Sequence, residues 1–461
     1  MRTQRLIRVN VRCLLLAMGV LVAVAGLDTR LASAPAEPGG KPVKNIILMI
    51  GDGCGFPHLE AVSLYLHGEK GRLNVDQFPV KLGVRTYSFT GQGYDPAQAW
   101  ANFEYVKKGA TDSAAAATAL ATGIKTRNGY IAMDPDKVPV KTVLERAEEL
   151  GRSTGVVTTV QFSHATPAAF LAHNPSRNEY EAIAQEMLLR SKADVIMGCG
   201  HPWYRSDGQR REAPGDYKYV GGEATWAALT AGKAGGDADG DGVDDPWTFI
   251  ETRDAFRALA TGDTPKRVCG VAQVSSTLQL GRPGDRKAAP FEVPLTEGVP
   301  TLADMVRGAL NVLDNDPDGF VVMIEGGSID GAGHGNLSGR LIEEGVDFLR
   351  AVDAVVEWVN RHSNWDETVL IITADHETGY LSGPGSGPES QPMWKPLVGN
   401  GVNKLPGMEW YSTSHTNSLV PLYARGRAAE ALTKRVVGKD PVRGDYIDNT
   451  EVGKLIFELL Q

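Results

Sequence analysis

Five short stretches, Asn45 to Ile50, Ser153 to Val160, Ala193 to Met197, Phe320 to Ile324 and Thr368 to Thr373, are β-branched or apolar at almost every position. A run with no polar face fits a strand buried on both sides, which happens when helices cover both faces of a mainly parallel sheet. Helical periodicity fills the spaces between them, over Val140 to Leu150, Asn178 to Ser191, Thr301 to Leu313 and Leu337 to Arg361. Strands alternating with helices predict the layered α/β class. Three stretches break the alternation: 201–265, rich in Gly, Asp and Trp; 281–300, rich in Pro and charge; and 383–412, rich in Gly, Pro and Ser. They read as insertions decorating one sheet, so the expectation is one catalytic domain over 37–461.

The first 36 residues have a composition of their own. Arg2, Arg5, Arg8 and Arg12 precede the apolar run Cys13 to Leu27, and Ala32-Ser33-Ala34 follows. That tripartite order is a secretory signal peptide, and its apolar run is short for a membrane span, so no stable span is expected after processing. The formal charge of the whole chain is -9, and loss of 1–34 removes five Arg and one Asp, leaving about -13. An acidic exported protein is a poor partner for nucleic acid. Periplasmic or secreted localisation is the expectation. Cys54, Cys199 and Cys269 remain after the leader, in no CxxC or zinc-knuckle spacing. In an oxidising compartment Cys199 and Cys269 are candidates for a disulfide.

Ligands in parallel sheets bind beyond the carboxyl ends of the strands, so those ends carry the functional reading. "NIILMIGDG" ends in Asp52, "FVVMIEGGSIDGAGH" in Glu325, Asp330 and His334, and "TVLIITADHETG" in Asp375 and His376. The strand near Val160 runs into His164 and Thr166, and His415 stands before the apolar run of "NSLVPLYARG". Carboxylates gathered on one edge repel one another, so such a set calls for cations. Imidazole with carboxylate suits zinc, and oxygen alone suits magnesium. By ligand type, Asp330, His334 and His415 form one zinc set, and Asp52, Asp375 and His376 with Ser113 form a second. Glu325, Thr166 and a shared Asp52 form a magnesium set, with His164 either ligating there or hydrogen-bonding to a ligand.

Ser113 opens "SAAAATALATG", and no G-x-S-x-G elbow surrounds it. A metal ion activates such a hydroxyl by stabilising its alkoxide, and a helix N-terminus suits an anion such as phosphate.

"MIGDGCG", "TDSAAAATALATG", "HATPAAFLAHNPSR", "IEGGSIDGAGH", "TADHETG" and "TSHT" together resemble, in order, the successive motifs of the alkaline phosphatases. The resemblance implies a three-layer α/β/α sandwich with a large central sheet, a secreted or periplasmic enzyme and commonly a homodimer. It implies hydrolysis of small phosphate monoesters through a phosphoserine at Ser113. It also implies two zinc ions and one magnesium ion on the three sets above, with Arg177 gripping the phosphate. A phosphodiesterase on the same scaffold is the alternative. His164 stands where one bacterial branch has Asp and animal enzymes have His, Gly331 stands where some members carry Lys or His, and Cys54 replaces a usual Met.

Separately, "DADGDGVDD" places Asp237, Asp239, Asp241 and Asp245 as the opening of a calcium loop, with Thr248 where the bidentate Glu belongs. Such a stretch reads either as a calcium site or as a flexible acidic surface loop.

Overall fold

The computed structural model describes residues 42–461, which fall in a single unit. The expected leader lies outside the described residues. Among the described residues no helix is long and apolar enough to cross a membrane.

Eleven strands form the central sheet. From edge to edge they are Gly438–Asp440, Gly444–Asp448, Val80–Arg85, Val420–Arg425, Thr368–Thr373, Asn45–Gly51, Phe320–Gly326, Ser153–Gln161, Val195–Cys199, Val268–Val271 and Thr248–Ile250. Only Val420–Arg425 and Gly438–Asp440 run against the others. The sheet is therefore mainly parallel, as the continuous apolar runs predict. All seven residues of Asn45–Gly51 and of Phe320–Gly326 are buried. Each large aliphatic side chain there contributes about 1.5–3 kcal/mol by leaving water.

Helices cover both faces because their sequences carry both the apolar stripe and the end signals. Leu302–Leu313 begins with a capping box, Thr301 accepting from the Asp304 N–H while the Asp304 carboxylate accepts from the Thr301 N–H. Ser338–His362 buries its apolar face along most of its length. The stretch 201–265 is more than decoration: it holds the helices Gly222–Thr230 and Arg253–Ala258, and its Thr248–Ile250 extends the main sheet as an edge strand.

The disulfide expectation is corrected. Cys199 and Cys269 are both free. They lie on neighbouring parallel strands, but Cys269 is level with Ile196, three residues before Cys199. Three residues of strand displace them by roughly 10 Å, beyond what a disulfide spans.

Candidate functional site

The register of the four central strands brings the predicted carboxylates to one edge. Ile50 is level with both Glu325 and Thr373, and Thr158 is level with Glu325, so Asp52, Asp375 and the Glu325 carboxyl emerge together. Gly53 permits this convergence. Its φ is +74°, and a Cβ there would sit 2.7 Å from the Asp330 Cα, so only glycine lets the two chains approach. A two-residue ribbon pairs His415 with Thr378 and delivers the last imidazole.

Asp112, not Ser113, is the N-cap of the helix Ser113–Thr122, its side chain accepting from the Ala115 N–H at 3.0 Å. The capping function of the Asp-Ser pair is thus filled, leaving the serine hydroxyl uncommitted to the helix. Ser113 is the first helical residue, only 2% exposed, with its Oγ 3.2 Å from His376 Nε2. The alanines are wholly buried and let this helix pack closely against Ala165–Leu171 and the C-terminal helix Thr450–Leu459.

Hydrogen bonding on the far side of each ring fixes which imidazole nitrogens are lone pairs. His334 Nδ1 donates to the Thr413 carbonyl at 2.6 Å and His415 Nδ1 to the Thr111 carbonyl at 2.9 Å, because a carbonyl only accepts. In the neutral rings both Nε2 atoms then carry lone pairs. They face each other at 3.1 Å and approach Asp330 Oδ1 at 3.3 and 3.4 Å. Thr378 gives its hydroxyl proton to Asp330 at 2.6 Å, so His376 Nδ1 is the donor in its 3.2 Å contact with Thr378. The His376 Nε2 lone pair therefore points among Ser113, Asp375 Oδ2 at 3.1 Å and Asp52 Oδ1 at 3.5 Å. Lone pairs aimed at one another repel unless a cation lies between them.

The third set shows the same deficit. Both Asp52 oxygens, Glu325 Oε1, Asp375 Oδ2, His164 Nδ1 and Thr166 Oγ1 are buried without a hydrogen-bond partner. Each orphaned polar atom in a buried site costs about 1–3 kcal/mol. Asp52, His164 and Glu325 offer ligand atoms within 4.8 Å of one another, and Thr166 lies beside Glu325. Burial raises the Asp52 pKa well above the usual carboxylate range, with Asp375, Asp330 and Glu325 adding repulsion. Burial also lifts Glu325 to about 7, against the Thr158 hydroxyl that donates to it. When His415, His376 and His334 carry protons instead, their charges outweigh burial and hold Asp330 low. Burial and the Arg177 charge lower His164 to about 4, so its ring is neutral. A buried cluster of this kind, rich in acceptors that lack partners, fits divalent cations.

Arg177 reaches the same edge. Its guanidinium donates to Asp112 at 3.1 Å and to His164 Nε2 at 3.4 Å, which leaves further N–H groups for an anion. Gly331 lies in the short helix Ser328–His334, where a Cβ would press on Leu280. Cys54, two residues after Asp52, is buried.

Asp237, Asp239 and Asp245 also gather within 4.8 Å, but Asp241 stands outside that group. Lys266 places its ammonium 2.7 Å from Asp239 and 3.1 Å from Asp245, so a calcium ion there would compete with a cation the chain supplies itself.

Sequence reading missed the supporting residues. Thr158, Thr378 and Asp112 orient Glu325, His376 with Asp330, and Arg177 respectively, and ordinary threonines in strands carry no signal of that role.

Lone pairs crowded around a hydroxyl at the positive end of a helix, on the carboxyl edge of an α/β/α sandwich, define the class of phosphoester hydrolases. A family model described as alkaline phosphatase matches residues 43–408. Alkaline phosphatase 3 of Bacillus subtilis is 28% identical, over 91% of this chain and 89% of its own. An alkaline phosphatase of Escherichia fergusonii is 32% identical, over 73% of this chain and 70% of its own. The crystal structure of a cold-active alkaline phosphatase from the psychrophile Shewanella sp. superposes with a TM-score of 0.65 at 25% identity, over 90% of this chain and 100% of the other. The chain belongs to the alkaline phosphatase family and is a phosphoric monoester hydrolase.

Proposed function

We propose that this enzyme hydrolyses phosphate monoesters through a covalent phosphoserine at Ser113, in a site holding two zinc ions and one magnesium ion. The observation that carries the reading is the Ser113 hydroxyl, buried at a helix N-terminus 3.2 Å from a histidine lone pair and surrounded by orphaned carboxylate oxygens. Asp330, His334 and His415 would hold one zinc, Asp52, Asp375 and His376 the other, and Asp52, Glu325 and Thr166, with His164 beside them, the magnesium. Such cations supply Lewis acidity, which favours serine alkoxide and neutralises the departing ester oxygen.

The chain's own groups do the rest. Ser113 Oγ forms a bond to phosphorus as the ester oxygen leaves, and water then breaks the Ser113 O–P bond to release phosphate and restore the hydroxyl. Backbone N–H groups of the first turn stabilise charge on the phosphoryl oxygens. Arg177, held by Asp112, grips two of those oxygens. Serine replaced by alanine at 113 is expected to abolish a 32P-labelled enzyme intermediate. Label retained by Ser113→Ala would refute the assignment. Comparing p-nitrophenyl phosphate with its bis ester separates monoester from diester hydrolysis.

Export to the periplasm or outside the cell follows from the tripartite leader, and a homodimer from the family resemblance. Sedimentation of the mature protein tests the second. The domain reading, one catalytic unit over 37–461 with insertions near 201–265 and 383–412, is supported by the eleven-stranded sheet that Thr248–Ile250 joins.

A further inference from the structure

Arg177 stands on an irregular segment, 172–179, between the helices Ala165–Leu171 and Tyr180–Leu189. Irregular backbone holds a guanidinium only as firmly as its ties to neighbouring elements allow. The Arg177 N–H donates to the Gly129 carbonyl at 2.8 Å, and Asn174 and Ile131 exchange backbone hydrogen bonds at 3.0 and 2.9 Å. The Gly129 N–H donates in turn, at 3.0 Å, to Asp112 Oδ2, the oxygen that takes the Arg177 guanidinium. The loop 129–140 therefore sets both the backbone of Arg177 and the carboxylate that aims its side chain.

His173 ties that loop to the start of the segment. Its Nε2 lies 3.1 Å from the Val140 carbonyl oxygen and its Nδ1 3.3 Å from Glu186 Oε1. A carbonyl and an ionised carboxylate offer only lone pairs, so both ring nitrogens are donors and the ring is an imidazolium. A neutral ring would turn a lone pair toward one of those two oxygens. The same Glu186 oxygen accepts the His173 backbone N–H at 3.1 Å, and Glu145 Oε2, which accepts from the Thr142 N–H, stands 3.6 Å from Nε2. Glu145 faces the ring from the helix Val143–Glu149 and Glu186 from Tyr180–Leu189. The cleft beside these two carboxylates, about 270 Å³ in volume, is walled further by Glu148, Glu149, Arg190 and Lys192. Burial opposes the charge on the ring, but the Glu186 hydrogen bond and the Glu145 charge outweigh it and raise the His173 pKa.

We propose that His173 is a positioning residue for phosphate binding: its imidazolium fastens the Arg177 segment to the loop 129–140, and loss of its proton slackens the Arg177 grip. The proposal rests on the reading of Arg177 as the group that grips phosphate. His173 belongs to none of the three cation sets, so it acts only through the backbone that carries Arg177. Deprotonation breaks one of its two anchoring hydrogen bonds, and the segment then moves more freely against Gly129 and Asp112. Phosphate affinity therefore carries a pH dependence that neither the phosphate nor the cations supply.

The experiment titrates inorganic phosphate calorimetrically into the zinc- and magnesium-loaded parent and His173→Gln, from about pH 6 to about pH 9. Taking the ratio of the two Kd values at each pH cancels the ionisation of phosphate itself. His173→Gln is expected to bind about tenfold more weakly at the acid end and within about twofold of the parent at the alkaline end. In an Arg177→Ala background the same substitution is expected to change nothing, as a residue acting through Arg177 requires. Glu186→Gln keeps the ring and removes the charge opposite it, so the parent's loss of affinity should shift to lower pH; this variant serves if His173→Gln does not fold. Exchange of the backbone N–H groups of 174–179, compared between parent and variant at each pH, should be faster in His173→Gln at the acid end. A Kd ratio independent of pH, an effect that persists without Arg177, or a profile unmoved by Glu186→Gln overturns the proposal. Exchange in the expected order, with phosphate affinity indifferent to Arg177→Ala, upholds the fastening of the segment and strikes the reading of Arg177 alone.

Discussion

Thr158 offers the sharpest test of how the protein prepares its oxygen-rich cation set. Its hydroxyl donates to Glu325 Oε2 and accepts from the Val160 N–H at 3.1 Å, while Glu325 Oε1 has no partner at all. Thr158→Val keeps the shape and removes the hydroxyl, leaving a fully buried carboxylate with neither oxygen hydrogen-bonded. Losing a group that orients a ligand typically weakens metal binding by about 10–100-fold, which corresponds to about 1.4–2.8 kcal/mol. The Val160 N–H also loses its acceptor, so the metal-free protein should be less stable by about 1–3 kcal/mol. Magnesium titrated calorimetrically into zinc-loaded protein reads the first effect, and thermal melting of chelator-treated protein reads the second. Thr158→Ser, which restores the hydroxyl, should recover both. Magnesium affinity of Thr158→Val within twofold of the parent would refute the argument that this hydroxyl orients Glu325.

Two further substitutions probe the scaffold. Gly453 faces the end of the Ser113 helix, where a Cβ would lie 2.6 Å from the Gly123 nitrogen and 2.7 Å from the Leu120 carbonyl oxygen. Backbone cannot yield cheaply, so Gly453→Ala should cost about 1–3 kcal/mol and lower kcat by displacing Ser113; an unchanged Tm would show that the two helices part freely. Burial lifts Glu148 to about 7, against the Thr154 hydroxyl and with help from Glu145 and Asp194. The folded protein therefore holds a proton there that the unfolded chain has already released, and stability falls as pH rises from about 4.5 to 7. The full shift would be worth about 3 kcal/mol, and residual solvent screening of a half-buried group cuts it to about 1–2 kcal/mol. Glu148→Gln should thus melt higher than the parent at pH 8 and level with it near pH 4; a difference independent of pH would remove the linkage.

Apolar runs without a polar face determined by themselves that this chain builds a sheet buried on both sides, because no amphipathic strand reads that way. The residues that follow those runs, from Asp52 to His376, were legible as a candidate site for the same reason: strand ends are where a parallel sheet presents its ligands. What stayed hidden depends on which strand lies beside which, and at what level. Cys199 and Cys269 looked like partners until the register set them three residues apart. Val420–Arg425 is one apolar run among several in sequence, and only pairing shows it reversed between Val80–Arg85 and Thr368–Thr373. Asp112 and Ser113 stand side by side in sequence, and which of them caps the helix fell to the fold. Thr158, Thr378 and Lys266 gain their roles from neighbours brought by pairing and packing rather than by the local sequence. Local chemistry writes which groups leave a strand end, whereas contacts between residues distant in the chain decide which of those groups face one another.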